Sequence, residues 1–231
     1  ASAEVALTLK ADAIMQKVRD RLPREPIHVE ASLKSVSRKG YLRKLLLADM
    51  ALDWGDEKPV ATYQISDRFG KPLSKMEITR DENSDPVYRY FKGEEIEPSE
   101  TPPLEQAVEE TDISWSDLSL SFLWWNNGEV MGSEEVKGRH CHVIDLPAPE
   151  EATDLNGLRL WIDSQYLMLL QAETYNKEGN LIRRLKVKSF KKMDDMWMLK
   201  DIDIYSMPSR KKTTLRIKKL DRVGAVNASE P

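Results

Sequence analysis

The chain has 231 residues, of which 40% are hydrophobic and 32% are charged, values typical of a folded globular protein. Its formal net charge is −4, which argues against general nucleic-acid binding, and no stretch approaches the roughly 20 apolar residues that a membrane-spanning helix needs. The single cysteine, Cys141, excludes an intrachain disulfide.

Charge is distributed unevenly along the chain. Residues 81–135 carry 15 acidic and 2 basic side chains, whereas residues 182–222 carry 14 basic and 5 acidic ones. Such an asymmetry can orient a protein toward a partner or an anionic surface. Solvated loops and strand faces produce the same counts, and this is the simpler interpretation.

Before residue 93 the pattern predicts one helix and then strands. Residues 9–22 are predicted to form an amphipathic helix, since Ile14 and Val18 are spaced by four residues and Pro23 ends the pattern. From residue 27 the hydrophobic period changes to two, which is typical of strands with one buried face. The strands of this half are predicted at residues 27–34, 42–54, 60–67, 73–80 and 87–91.

An acidic connection with three prolines, residues 93–110, leads to a second predicted helix at residues 114–126. Ser114 and Asp117 have the spacing of a capping box, the segment after them is strongly apolar, and Asn126-Asn127-Gly128 ends the helix. The remaining strands are predicted at residues 139–146, 158–163, 167–175, 181–190, 197–205 and 213–220.

These elements predict one α+β, mostly β domain spanning residues 1–231. Its connections are short enough for an antiparallel meander. About eleven strands cannot remain a flat open sheet. We therefore expect a curved antiparallel sheet that forms an incomplete, half-open β-barrel, covered by helices and with room for a ligand.

Several short segments, each weak alone, occur together in an order and spacing that is similar to one family. They are Thr111-Asp112-Ile113-Ser114-Trp115-Ser116-Asp117-Leu118, Gly138-Arg139-His140-Cys141-His142-Val143-Ile144, Leu160-Trp161-Ile162-Asp163, the turn at residues 175–179, Trp197 and Lys212-Thr213-Thr214-Leu215. With them the chain resembles the outer-membrane lipoprotein-sorting proteins related to the periplasmic carrier LolA.

This resemblance implies an incomplete β-barrel of the LolA/LolB type, with a helical lid over an apolar cavity for acyl chains. It implies lipid or an acylated lipoprotein as the partner, with a partner protein in the inner or outer membrane of a Gram-negative bacterium. No position matches the arginine that fastens the lid in that family. Ala1-Ser2-Ala3 resembles the small residues that flank a signal-peptidase site, which favours a periplasmic protein whose signal peptide has been removed.

The residues give little sign of catalysis. In a strand, His140 and His142 point one way and Cys141 the other, so the three cannot converge on one metal ion. There is no Gly-x-Ser-x-Gly nucleophile elbow and no glycine-rich phosphate loop. We expect no enzymatic activity, no cofactor and no metal, and interpret Cys141 as a small buried apolar residue.

The apolar run in the second helix is the strongest candidate for a ligand contact. Neighbouring residues of a helix differ by about 100° in direction, so four consecutive large side chains cannot all face the core. Some of them are expected to form a lid over the cavity, although a helix packed simply into the core would explain the run equally well. The candidate ligand-binding residues are Phe122, Leu123, Trp124, Trp125, Leu46, Met50, Met76, Ile78, Ile202, Ile204, Leu215 and Ile217.

The sequence thus predicts a non-enzymatic periplasmic carrier or binding protein for lipoprotein acyl chains or other lipid, active in lipoprotein sorting or envelope biogenesis. One alternative is a structural or interaction module of the envelope with a filled core and no cavity. Another is an enzyme that uses surface carboxylates. The basic strands near the C-terminus could meet lipid headgroups through Arg184, Lys186 and Lys188, although a solvated outer face is the simpler interpretation.

Overall fold

The computed structural model describes residues 2–55, 59–81, 84–150, 152, 154–193 and 196–223. Helix α1 spans Ser2–Arg19 and helix α2 spans Trp115–Ser119. Short 3-10 helices lie at Val108–Glu110 and Ser121–Trp124. The strands are β1 Ile27–Val36, β2 Leu42–Asp53, β3 Val60–Asp67, β4 Pro72–Asp81, β5 Ser84–Lys92, β6 Glu129–Val136, β7 Arg139–Pro147, β8 Leu155–Asp163, β9 Leu169–Asn176, β10 Leu181–Met193, β11 Met196–Ser206 and β12 Lys211–Arg222.

The strands form one antiparallel sheet in the order β5-β4-β3-β2-β1-β12-β11-β10-β9-β8-β7-β6. Two meanders, β1–β5 and β6–β12, join where the first strand pairs with the last, with Leu33 opposite Leu215. The outermost strands, β5 and β6, are joined only by the chain that runs from one to the other. This chain, residues 93–128, is called the connecting segment below.

The predicted fold class is confirmed: the protein is mostly β, and its antiparallel sheet is curved and not closed. Over the residues that the structure describes, the sheet has twelve strands rather than about eleven. The strand that sequence analysis missed is β6. Val130 is its one fully buried residue, so it shows almost no hydrophobic alternation. Such a pattern is typical of an exposed edge strand.

The predicted N-terminal helix exists with different bounds. It begins before residue 9 and ends at Arg19, and a turn at residues 20–22 follows it. Ile14 and Val18 are buried, as the four-residue spacing predicts, and Met15 beside them is buried as well. The helix packs against β6 and the 3-10 helix Ser121–Trp124, so it covers one end of the concave face.

The prediction of one lid helix over residues 114–126 was wrong. Its start is right, because Ser114 and Asp117 form the predicted capping box. Leu120, however, adopts a left-handed conformation with φ 50°, so α2 ends after five residues and a separate 3-10 turn follows. Serine hydroxyls compete for the backbone here: Ser119 Oγ donates to the carbonyl of Trp115 at 2.8 Å. Residues 122–125 therefore do not belong to one continuous helix, and the 100° spacing of helical side chains does not fix their directions.

The main core fills the concave side of the sheet. In β1, the alternating residues Ile27, Val29, Ala31 and Leu33 are all buried there. A smaller apolar cluster lies elsewhere, around Cys141, Val143, Trp161 and Leu170. Cys141 is fully buried in it, as expected of a small apolar residue.

Candidate ligand-binding site

An apolar cavity of about 140 Å³ lies between the sheet and the connecting segment. The connecting segment supplies Ile113, Leu118, Leu120 and Leu123 to its wall. The sheet supplies mostly branched side chains from both meanders, including Val29, Met50, Leu52, Tyr63, Leu169, Leu185, Ile202, Ile204, Leu215 and Ile217. Trp54, which directly follows β2, also lines the cavity. The cavity therefore lies at the junction of the two meanders, under the connecting segment.

The cavity reaches the surface at one end of the sheet. Leu22 and Pro23, which link α1 to β1, border it there with Arg21 and Trp197. Arg21 is exposed and Trp197 is 48% exposed. The register places this link beside the end of β2, because Ile27 is opposite Leu52. A ligand entering here would pass an aromatic and cationic rim before it reached aliphatic walls.

Six of the residues proposed from the sequence line this cavity. They are Leu123, Met50, Ile202, Ile204, Leu215 and Ile217. Four others are buried in the core but do not line the cavity, namely Phe122, Leu46, Met76 and Ile78. The remaining two, Trp124 and Trp125, are half-buried and pack on the core outside the cavity. Most of the candidate residues predicted in strands therefore line the cavity, whereas neither of the two candidate tryptophans does.

A buried polar cluster fastens the connecting segment to the seam between β1 and β12. The Asp112 carboxylate accepts hydrogen bonds from Ser35 Oγ and Thr213 Oγ1, both at 2.9 Å. Arg43 Nη1 donates to the same oxygen at 3.1 Å. Ser35 and Thr213 are paired in the strand register, so one carboxylate spans the two strands at which the meanders meet.

A second buried contact joins α2 to β10. Arg183 lies with its Nε 2.5 Å from Asp117 Oδ2, although the two are not aligned as a hydrogen bond, and its Nη2 donates to Glu105. Burial alone would lower the pKa of Arg183, but the carboxylates of Asp117 and Glu105 outweigh it and the pKa is raised. The acidic connecting segment therefore pairs with the basic C-terminal half inside the protein, which accounts for part of the charge asymmetry.

Three residues that hold the connecting segment, Asp112, Arg183 and Arg43, were not predicted from the sequence to have this role. Asp117 was recognised only as a helix cap, and the structure gives it the additional contact with Arg183. A signal was present for Asp112, since it lies in a motif that carried the resemblance. For Arg183 there was none, because cations are frequent throughout that region.

Among the described residues, no group of three or more His, Cys, Asp and Glu side chains could hold a metal ion. Burial and the neighbouring Asp163 carboxylate raise the pKa of Cys141 to about 11, which disfavours the reactive thiolate at neutral pH. A second, more open groove of about 500 Å³ contains Asp145 and Arg159, but these two form a bidentate ion pair at 2.6 and 2.7 Å.

A family model described as "Uncharacterized protein" matches residues 94–227, more than half of the chain. The chain belongs to this family. No curated protein matches the sequence significantly. Among the described residues, none of the helices combines the length and hydropathy that crossing a membrane requires.

Solved structures show the same fold at low sequence identity. A DUF1329 family protein from Desulfovibrio piger superposes with a TM-score of 0.80 at 13% identity, with 95% of each chain covered. A domain from Vibrio parahaemolyticus, assigned as an outer membrane lipoprotein-sorting protein domain, gives 0.75 at 12% identity, covering 94% of this chain and 93% of that one. A LolA superfamily protein from Nitrosomonas europaea gives 0.61 at 13% identity, covering 92% and 93%. These matches confirm the resemblance to lipoprotein-sorting proteins at the level of the fold.

Proposed function

We propose that this protein is a non-enzymatic periplasmic carrier or binding protein for the acyl chains of lipoproteins or other lipids, acting in lipoprotein sorting or envelope biogenesis. The observation that carries the proposal is the apolar cavity between the sheet and the connecting segment. The fold shared with a lipoprotein-sorting domain and a LolA superfamily protein supports it. An inner- or outer-membrane protein would deliver or receive the lipid.

The chemistry of the walls suits an acyl chain. Aliphatic and aromatic side chains dominate the lining, and each methylene moved from water into such surroundings contributes about 0.8 kcal/mol. Even a chain that is only partly enclosed would therefore bind at a useful affinity.

The volume implies that binding requires movement. A cavity of about 140 Å³ is smaller than the roughly 300–1,000 Å³ of typical ligand pockets. The sheet is held by continuous strand pairing, whereas α2 and the following 3-10 turn are short and are separated at Leu120. The connecting segment is therefore the wall that would move outward to admit a chain.

The proposal is tested by direct binding. A fluorescent long-chain fatty acid is titrated into purified protein, and an organic extract of natively purified protein is analysed by mass spectrometry. We expect saturable binding at low stoichiometry and lipid in the extract. If neither were observed, the carrier function would be refuted. The alternative, a structural module with a filled core, would then be favoured, and the small volume of the cavity agrees with it.

A cavity-filling variant locates the binding site. Ile202→Phe adds volume to a residue that lines the cavity, and Ile144→Phe adds the same volume to a buried strand residue outside the lining. Overpacking costs about 1–3 kcal/mol at either position. We expect only Ile202→Phe to weaken probe binding, with similar losses in melting temperature for both variants. Equal effects on binding would place the probe elsewhere.

A further inference from the structure

Arg80 occupies an inward position of β4, where apolar side chains are expected. The residues preceding it on the same face are Ser74, Met76 and Ile78, all buried. Arg80 is itself only 8% exposed. Its guanidinium lies over the ring of Trp124, with 4.0 Å between Cζ and the ring centroid. A cation is thus held on the inner face of the sheet beneath the end of the connecting segment.

This cation differs in its partners from the arginines that hold the connecting segment. Arg43 is paired with Asp112, and Arg183 with Asp117. Within the described part of the chain, the Arg80 guanidinium forms no ion pair, and its buried Nε has no acceptor. Burial lowers the pKa of Arg80, and the neighbours that oppose this shift are the phenol groups of Tyr88 and Tyr63 rather than a carboxylate.

The stacking on Trp124 leaves hydrogen-bonding capacity unused. A cation–π contact engages the face of the guanidinium, whereas its five N–H donors lie in the plane of the group. Burial of a charge is costly unless the charge is paired and hydrogen-bonded. A carboxylate or phosphate approaching the edge of the guanidinium would satisfy both requirements through bidentate geometry.

Arg80 also lies next to the proposed ligand site. Tyr63, its electrostatic neighbour, lines the apolar cavity and is itself fully buried. Trp124, its stacking partner, directly follows the cavity residue Leu123. Arg80 therefore lies on the side of the cavity formed by Tyr63 and Leu123.

We propose that Arg80 is an anion-binding residue that holds the negatively charged group, a carboxylate or a phosphate, of an amphiphile whose chain occupies the cavity. This inference rests on the proposed function and adds ligand selectivity to it: the protein prefers anionic to neutral amphiphiles. Trp124 acts as a positioning residue, because it fixes the plane of the guanidinium.

Matched probes test the selectivity. A pyrene-labelled fatty acid and its methyl ester share one chain and differ in charge, and a pyrene-labelled lysophospholipid with a terminal phosphate tests the second anion. A charge-assisted hydrogen bond predicts roughly tenfold to hundredfold tighter binding of either anionic probe than of the ester. In Arg80→Met the preference for the anionic probes should disappear, because their affinity should fall to about that of the ester.

Two further variants keep the result interpretable. Arg38→Met removes the same charge from the exposed β1–β2 turn at the opposite end of the sheet and should retain the preference. Arg80→Lys keeps the charge but not the planar fork, and it should lose most of the preference even if Arg80→Met folds poorly. Millimolar inorganic phosphate should weaken binding of the anionic probes and leave the ester unaffected.

The outcomes separate the two proposals. Equal binding of acid and ester by the wild type, or an equal preference in wild type and Arg80→Met, would overturn the anion site and leave the carrier function intact. If inorganic phosphate bound at Arg80 with no preference among the amphiphiles, the site would serve a free anion, and the assignment to an amphiphile would be wrong. Failure of all three probes to bind would refute the carrier function itself.

Discussion

Asp112 and Thr213, separated by 101 residues in the chain, hydrogen bond to each other in both directions. Thr213 Oγ1 donates to Asp112 Oδ2 at 2.9 Å and accepts from the Asp112 backbone N–H at 2.9 Å. The hydroxyl thus serves as donor and acceptor toward one residue. This reciprocal pair fixes the connecting segment to the last strand, where that strand meets the first.

Replacement of Asp112 is expected to loosen the connecting segment. Asp112→Ala removes the acceptor of two hydroxyls and leaves Arg43 without its carboxylate, so we expect a loss of about 2–4 kcal/mol in the free energy of unfolding. Urea denaturation measures it. Glu110→Gln, which breaks the exposed pair with Lys44, is the control and should change stability little. A loss no larger than the control's would mean that Asp112 does not fasten the segment.

The contact between Arg183 and Asp117 is expected to couple stability to ligand exchange. Arg183→Met leaves the buried Asp117 and the half-buried Glu105 without a cation, whereas the double variant with Asp117→Asn removes part of that cost. A double-mutant cycle should give a coupling energy of about 1–3 kcal/mol. If the segment moves to admit a chain, Arg183→Met should also release a bound probe faster in stopped-flow measurements. If the stability effects of the two substitutions were additive, the expected coupling would be wrong. If Arg183→Met left the release rate of the probe unchanged, this contact would not control ligand exchange.

Two neighbouring residues of β11, Ile204 and Asp203, are both buried, although alternation alone would place Asp203 on a solvated face. Ile204→Asp places an unpaired charge against the cavity and should cost several kcal/mol. Its outward neighbour Asp203 is only 4% exposed and accepts a hydrogen bond from Thr214 Oγ1 at 2.6 Å. Asp203→Asn should therefore cost about 1–3 kcal/mol rather than nothing. Chemical denaturation of both variants checks this, and a neutral Asp203→Asn would mean that the outer face is simply solvated.

Asp163 predicts an acid-dependent loss of stability. Burial would raise the pKa of this carboxyl, but the backbone N–H groups of Tyr166 and Gln165 and the Arg139 guanidinium outweigh it and lower the pKa. A lowered folded pKa contributes stability above the unfolded pKa of about 3.9, and this contribution is lost as pH falls through the folded value. Unfolding free energies from about pH 6 to about pH 3 should therefore fall more steeply for wild type than for Asp163→Asn. Parallel curves would contradict the assignment.

Much of the sheet could be predicted because its strands have one buried face. Ile27, Val29, Ala31 and Leu33 lie on the concave side as their period of two indicates. The Ser114–Asp117 capping box was readable for the same reason, since its geometry is local. A strand without a buried face shows no alternation of apolar and polar residues, and β6 was missed for this reason.

The connecting segment was harder to predict, because its conformation depends on residues that are far away in the sequence. Nothing near Leu120 indicates a left-handed residue, and the helix ends there in a run that appears continuously apolar. Arg183 and Asp112 take their roles from contacts across more than 60 residues. Arg80 is the exception: an arginine in the apolar phase of a strand is a signal that can be read from sequence alone.

The pairing of β1 with β12 also constrains how the protein acquires its structure. Ile27 lies opposite Arg222, so the central ladder joins residues that are far apart in the sequence. Closing so long a loop carries a high entropic cost, and non-local strand pairing of this kind slows folding. Until residues 211–222 are available, β1 presents an unpaired edge to its surroundings. If the chain crosses a membrane from its N-terminus onward, the centre of the sheet can form only after residues 27–222 have emerged.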